Sequence, residues 1–156
     1  MKKLLLALAF VLSVTTFLAA QRSAGAVGIG AQFGQPTGLS LKIYQPTGLS
    51  TDILVAWDLN DFFFVNIHGL AERHLGSSES VHYFIGPGLF VGVRESNNDG
   101  LVSKSNDFVA GISGTLGLNV ILGPVELFGQ VTPRLELIDE TAGDVGGGIG
   151  IRIYLD

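Results

Sequence analysis

Three histidines and an acid sit close together near the middle of the chain. His68, Glu72 and His74 are spaced four and two residues apart, and a tight reversal at 75–80 would set His82 opposite His74. His74, His82 and Glu72 are residue types that hold a metal ion. Their spacing is loose and the glycine-serine turn offers no rigid fourth ligand, so polar rim residues are expected here and no metal. Ser77, Ser78 and Ser80 lie beside His74, His82 and Glu79. A serine nucleophile needs a base within hydrogen-bond reach and an acid to orient that base. Neighbours in a turn are a weak form of that arrangement, no G-x-S-x-G elbow is present, and no catalytic residue is assigned. The runs GAVGIG and GDVGGGIG would suit a phosphate loop only if a helix followed. Neither run precedes a helical pattern, and no cofactor is expected.

The remaining charges are better organised. Lys42, Asp58, Glu72, Arg94, Glu126, Arg134, Glu136 and Arg152 comprise four cations and four acids, and all fall on one parity of a period-two pattern. Such a set is expected to form a balanced interior network, because an unpaired buried charge costs several kcal/mol. A gated ion path is the functional alternative.

The elements that would position these residues are strands. After residue 26 apolar residues alternate. Turn signals at 34–38, 45–49, 59–61, 75–80, 95–107, 122–124 and 138–144 separate eight strands, expected near 26–34, 39–45, 51–58, 62–74, 81–94, 108–120, 125–137 and 145–155. The repeated QPTGLS at 35–40 and 45–50 is turn chemistry at the two ends of one strand, proline fixing φ and glycine permitting reversal. Within the strand cores one parity is uncharged, as in Leu39, Leu41 and Ile43 or Ile149, Ile151 and Ile153. The other parity holds the ions and ten glycines, among them Gly28, Gly30, Gly117, Gly146, Gly148 and Gly150. A soluble sandwich would show water a face of Lys, Glu and Thr. Glycine instead marks close approach, as in a narrow barrel lumen where small and large residues alternate. The polar parity is therefore read as inside and the apolar parity as facing lipid. Hairpin registers inferred from the turns pair Phe33 with Leu39, Asn119 with Glu126 and Leu137 with Val145, placing Lys42 opposite Gly30 and Arg134 opposite Gly148.

Composition agrees. Hydrophobic residues make up 47% and charged residues 15% of the chain, against about 25% charged in typical soluble domains. The opening MKKLLLALAFVLSVTTFLAA has the anatomy of a secretory signal peptide, residues 1–20, with cleavage after Ala20 or alternatively after Ala26. The remaining 21–156, 136 residues (156 − 20), form one domain of net charge −7, from 7 basic (9 − 2) and 14 acidic residues. That balance disfavours nucleic acid as a partner. Cysteine is absent, so no disulfide supports the exported chain.

GIGAQFGQPTGLSLKIY, then YFIGPGL, VGVR, PVELFGQVTPRLEL and the closing GGGIGIRIY, resembles a family of small uncharacterised bacterial outer-membrane β-barrels of the OmpA-like, eight-stranded type. The sharpest parts are G-x-P-T-G-L-S-L-K at 34–42 and G-I-G-I-R at 148–152. The resemblance implies an all-β, eight-stranded antiparallel up-and-down transmembrane barrel in the bacterial outer membrane. It further implies contact with outer-membrane lipid, the barrel-assembly machinery as partner during insertion, a monomer, and no enzymatic activity. Such chains usually end in an aromatic residue; this one reads IYLD, with Tyr154 two places from the last position. The expected role is structural or surface-exposed, without an open pore. The alternatives are a narrow channel or small-ligand barrel, and a lipid-modifying hydrolase. With the amino terminus periplasmic, loop 95–107, containing Asn97, Asn98, Asp99, Gly100 and Lys104, is expected to be a solvated loop and is the best candidate if any segment meets a surface partner.

Overall fold

The structure is a computed structural model describing residues 22–58, 62–96, 105–138 and 141–155; the side chains at 58, 62, 94–96 and 105–107 lie outside the description. Eight strands run in chain order: β1 (Val27–Gln35), β2 (Gly38–Ile43), β3 (Ser50–Asp58), β4 (Phe62–His74), β5 (Val81–Ser96), β6 (Ser105–Leu122), β7 (Val125–Glu136) and β8 (Ala142–Leu155). Each pairs antiparallel with the next, and β8 returns to β1 from Val27↔Leu155 to Gln35↔Gly147, closing the barrel. The expected signal peptide lies outside the described residues, as does the tip of loop 95–107.

The predicted strand order and the predicted faces hold. Among the described side chains none of the apolar-parity strand residues is buried: Ile149 is 71% exposed and Leu89 65%. The opposite parity supplies the interior, where Lys42, Asp52, Glu126 and Arg152 are at most 1% exposed. A soluble sandwich would show the reverse.

Three inferred registers are corrected by an even number of residues. Leu39 pairs with Ala31, not Phe33, so Lys42 faces Gly28. Asn119 pairs with Phe128, and Ile121 with Glu126. Arg134 pairs with Asp144 and Glu136 with Ala142. The turns explain the differences. Gly123 and Pro124 form a two-residue reversal between Leu122 and Val125, with Gly123 at φ 61°, a conformation glycine adopts without steric cost. The inferred register, with Val120 opposite Val125, would have left 121–124 as a longer, four-residue turn. The β7–β8 connection, between Glu136 and Ala142, is two residues shorter than the inferred 138–144. The β1–β2 connection keeps its inferred length but slides back by one residue, to lie between Gln32 and Gly38; Gly34 and Thr37 tie it together at 3.0–3.1 Å. Because the shifts are even, no side chain changes face.

Along β4 the inward residues read Glu72, Leu70, His68, Asn66 and Phe64, and this order describes the whole lumen. The end where β1 begins and β8 finishes, called the terminal end below, carries ions. Above them lies an apolar layer of Leu70, Phe84 and Phe128. A polar layer follows, in which Gln130 donates to Gln32 at 2.9 Å, Thr115 meets Thr132 at 3.2 Å, and Ser113 donates to Asn66 at 3.0 Å. Ala56, Phe64 and Phe90 close the far end, the two rings 5.5 Å apart.

The inward glycines make room for these rings. A Cβ on Gly117 would overlap Phe84, one on Gly150 would overlap Phe128, and one on Gly111 would come within 2.8 Å of Phe90. Gly117→Val should therefore lower unfolding stability by about 1–3 kcal/mol. Leu116→Ile, one residue away and outward, should change it by less than about 0.5 kcal/mol. Urea titration in detergent, followed by the fluorescence of Trp57, reads both.

Candidate functional site

The lumen at the terminal end holds six ionised side chains, one from each of six parts of the chain. Lys42 of β2 donates to Glu72 of β4 at 2.6 Å and to Glu126 of β7 at 3.2 Å. Arg152 of β8 donates to Glu126 at 3.0 Å, to Ser40 at 2.7 Å and to Asp52 of β3. Arg22, ahead of β1, reaches Glu72 and lies 3.5 Å from Glu126. Three cations thus meet three carboxylates. Every member is 4% exposed or less at its side chain.

Neutral groups complete the shell. Asn119 donates to Glu126 Oε1 at 3.0 Å, and the Tyr154 hydroxyl donates to Oε2. Two guanidinium and ammonium groups also lie over rings: Arg152 sits 3.8 Å from the Phe128 centroid and Lys42 Nζ 5.5 Å from that of Phe84. The ion cluster and the apolar layer above it are therefore one packed unit. A desolvated cation gains from the ring quadrupole what it loses in hydration only in part; the carboxylates supply the rest. Burial would lower the Arg22 pKa, but the hydrogen bond and charge of Glu72 outweigh it and hold the guanidinium above its ordinary value.

The eight residues singled out by parity divide. Lys42, Glu72, Glu126 and Arg152 come together in this cluster. Arg134 and Glu136 lie at the opposite end. Arg134 pairs with Asp144, whose side chain is 69% exposed, and sits 5.1 Å from the Phe64 ring. Glu136 faces Gly111 and Ala142. The side chains of Asp58 and Arg94 lie outside the described residues. Three members escaped the sequence reading. Asp52 shares the inward parity and could have been read from it. Tyr154 shares it too. Arg22 precedes the first strand, where parity has no meaning.

The histidines do not assemble a metal site; among the described residues no group of three or more His, Asp and Glu is placed to hold an ion. His74 and His82 pair across the hairpin, ring centroids 4.4 Å apart. The Ser78 hydroxyl turns to the backbone, accepting from Val81 N at 3.3 Å, and His74 Nδ1 meets the Ser78 carbonyl oxygen at 3.3 Å, not its hydroxyl. The serine–histidine contact that does form is Ser113 to His68, 3.1 Å, buried in the polar layer.

No protein-family model matches the chain, nor does any curated protein sequence. Among solved structures the chain is similar to the N-terminal β-barrel domain of Pseudomonas aeruginosa OprF, with a TM-score of 0.65 over 84% of this chain and 98% of that domain, at 12% identity. At that identity the likeness is one of fold, and the fold it shares is the closed eight-stranded barrel.

The two ends of the lumen should respond differently to loss of charge. Glu126→Gln strands buried cations and should cost about 3–5 kcal/mol. Arg134→Ala breaks a pair whose partner is in solvent and should cost less than about 1 kcal/mol. Urea midpoints of the two variants in the same detergent give the comparison, and equal losses would remove the distinction between the ends.

Proposed function

We propose that this chain is a non-catalytic outer-membrane β-barrel protein with a structural or surface-exposed role, its lumen filled by side chains and closed to ions. The observation that carries this reading is the inverted burial: large aliphatic and aromatic residues outward on all eight strands, ions and amides inward. In water an outward band of this composition would aggregate. In a bilayer it is the required exterior, and a closed barrel is the one sheet form that leaves no unpaired edge in hydrocarbon. The amino-terminal stretch with the anatomy of an export signal, and the likeness of fold to the OprF domain, favour the bacterial outer membrane as the site of insertion.

Closure follows from packing. A path along the axis would have to pass the Leu70, Phe84 and Phe128 layer and the six-ion cluster, whose members have almost no contact with water. Eight strands enclose a space that side chains can fill. In the same reading, residues 1–20 are removed on export, the barrel inserts through the barrel-assembly machinery, and it remains a monomer in contact with lipid. The turns at 44–49, 75–80 and 123–124 face the periplasm; of the outward connections the one between Ser96 and Ser105 is the longest, as such barrels favour, and those after β1 and β3 are short.

Two measurements test it together. The chain should fractionate with outer membranes and migrate faster on gels before boiling than after. In planar bilayers the purified protein should add no stepwise conductance. Recovery in the soluble periplasm would overturn the membrane assignment, and regular single-channel steps would overturn the closed lumen in favour of a narrow channel.

A further inference from the structure

Arg22 has surroundings unlike those of any residue expected in a flexible lead-in to a first strand. Two hydrogen bonds, Tyr44 N to Ala26 O at 2.9 Å and Gly25 N to Tyr44 O at 2.8 Å, carry the β1–β2 pairing past the end of the strands. Ala26 N then bonds Ser23 O at 3.1 Å, and Gly25 takes φ 87°. The chain therefore reverses and folds back across the terminal mouth of the barrel. Its guanidinium lies 4.0 Å from the Tyr44 ring centroid and 5.3 Å from that of Tyr154. It donates to the Tyr154 hydroxyl at 3.3 Å and to Glu72, with Glu126 at 3.5 Å.

Two aromatic rings and two carboxylates converging on one planar cation are what a guanidinium-binding pocket requires. Rings accept the face of the ion, and carboxylates take its in-plane donors. An ammonium lacks both the plane and the fork. Charge points the same way. Without Arg22 the cluster retains two cations, Lys42 and Arg152, against three carboxylates, Asp52, Glu72 and Glu126. One buried negative charge would then lack its counterpart.

We infer that the terminal mouth of this barrel is a guanidinium-binding site, made by Tyr44, Glu72, Glu126 and Tyr154, and that Arg22 is its tethered occupant. A free guanidinium compound is thus the ligand class the site takes once Arg22 is withdrawn. The inference depends on the barrel alone, not on which membrane surrounds it.

The test uses the full chain purified in detergent, with agmatine as the guanidinium probe and cadaverine as an ammonium of similar length. By calorimetric titration, Arg22→Ala should bind agmatine at least about tenfold more tightly than cadaverine. The unaltered protein should bind neither measurably, and Arg22→Ala with Glu72→Gln should lose the agmatine site. If Arg22→Ala does not fold alone, agmatine during refolding should restore the fast-migrating unboiled band. A folded Arg22→Ala that ignores agmatine would overturn the inference. So would equal binding by the unaltered protein, equal affinity for cadaverine, or refolding that agmatine does not rescue. An intact mass showing that the chain begins beyond Arg22 would overturn it as well.

Discussion

Glu126 cannot be ionised where it lies unless the rest of the terminal end is in place. Its side chain is inaccessible to water, and a lone carboxylate in such a setting costs several kcal/mol, a large share of a typical protein's whole stability. Its partners come from β2, β6 and β8 and from the segment before β1. Asn119 and Arg152 sit on the strands that flank β7, but Lys42 and Arg22 are distant in sequence and reach Glu126 only when the barrel has closed. Charge neutrality and topology are therefore one condition here. A sheet left open between β8 and β1 would separate Arg152 and Tyr154 from Arg22, and would leave Glu126 short of the partners that offset its desolvation.

The second condition is volume. An eight-stranded lumen has room for side chains and little else, so each ring placed inside must face an absence on a neighbouring strand. Phe84 lies over Gly117 and Phe128 over Gly150, while Tyr154 lies over Gly28 with its ring atoms 3.0 Å from where a Cβ would stand. The glycines are thus the negative image of the aromatic residues. The same pairing links volume to charge, because the rings that need the glycines are the ones over which Arg152, Lys42 and Arg22 lie. Apolar layer and ion cluster stand or fall together.

These relations were unevenly legible in the sequence. Strand number, order and facing follow from a period of two, which survives errors of register provided they are even. That is why Arg134 could be set opposite Gly148 rather than Asp144 and still be placed inside. What parity cannot supply is height along the barrel. Arg134 and Arg152 share a face, yet one meets an exposed aspartate near the far end and the other is buried among carboxylates. Height depends on turn length, and the difference between a two-residue reversal at Gly123–Pro124 and a five-residue one between Glu136 and Ala142 is weakly encoded locally. The interior phenylalanines were hidden for a different reason. Phe64, Phe84, Phe90 and Phe128 are apolar residues on the polar parity, so a pattern of apolar against polar passes over them.

Arg22 marks the limit of pattern reading. Its placement rests on a backbone reversal at Ser23–Ala26 and on residues from β4, β7 and β8 that no periodicity relates to it. Yet once Lys42, Asp52, Glu72, Glu126 and Arg152 are recognised as a buried set, their sum is one negative charge, and a further cation must be found. Among the described residues the remaining candidates with side chains in view are few: Arg73 faces outward at the end of β4, and Arg134 is engaged at the far end. Neutrality alone thus points away from the strands and toward the segment that precedes them, where the structure has the missing charge.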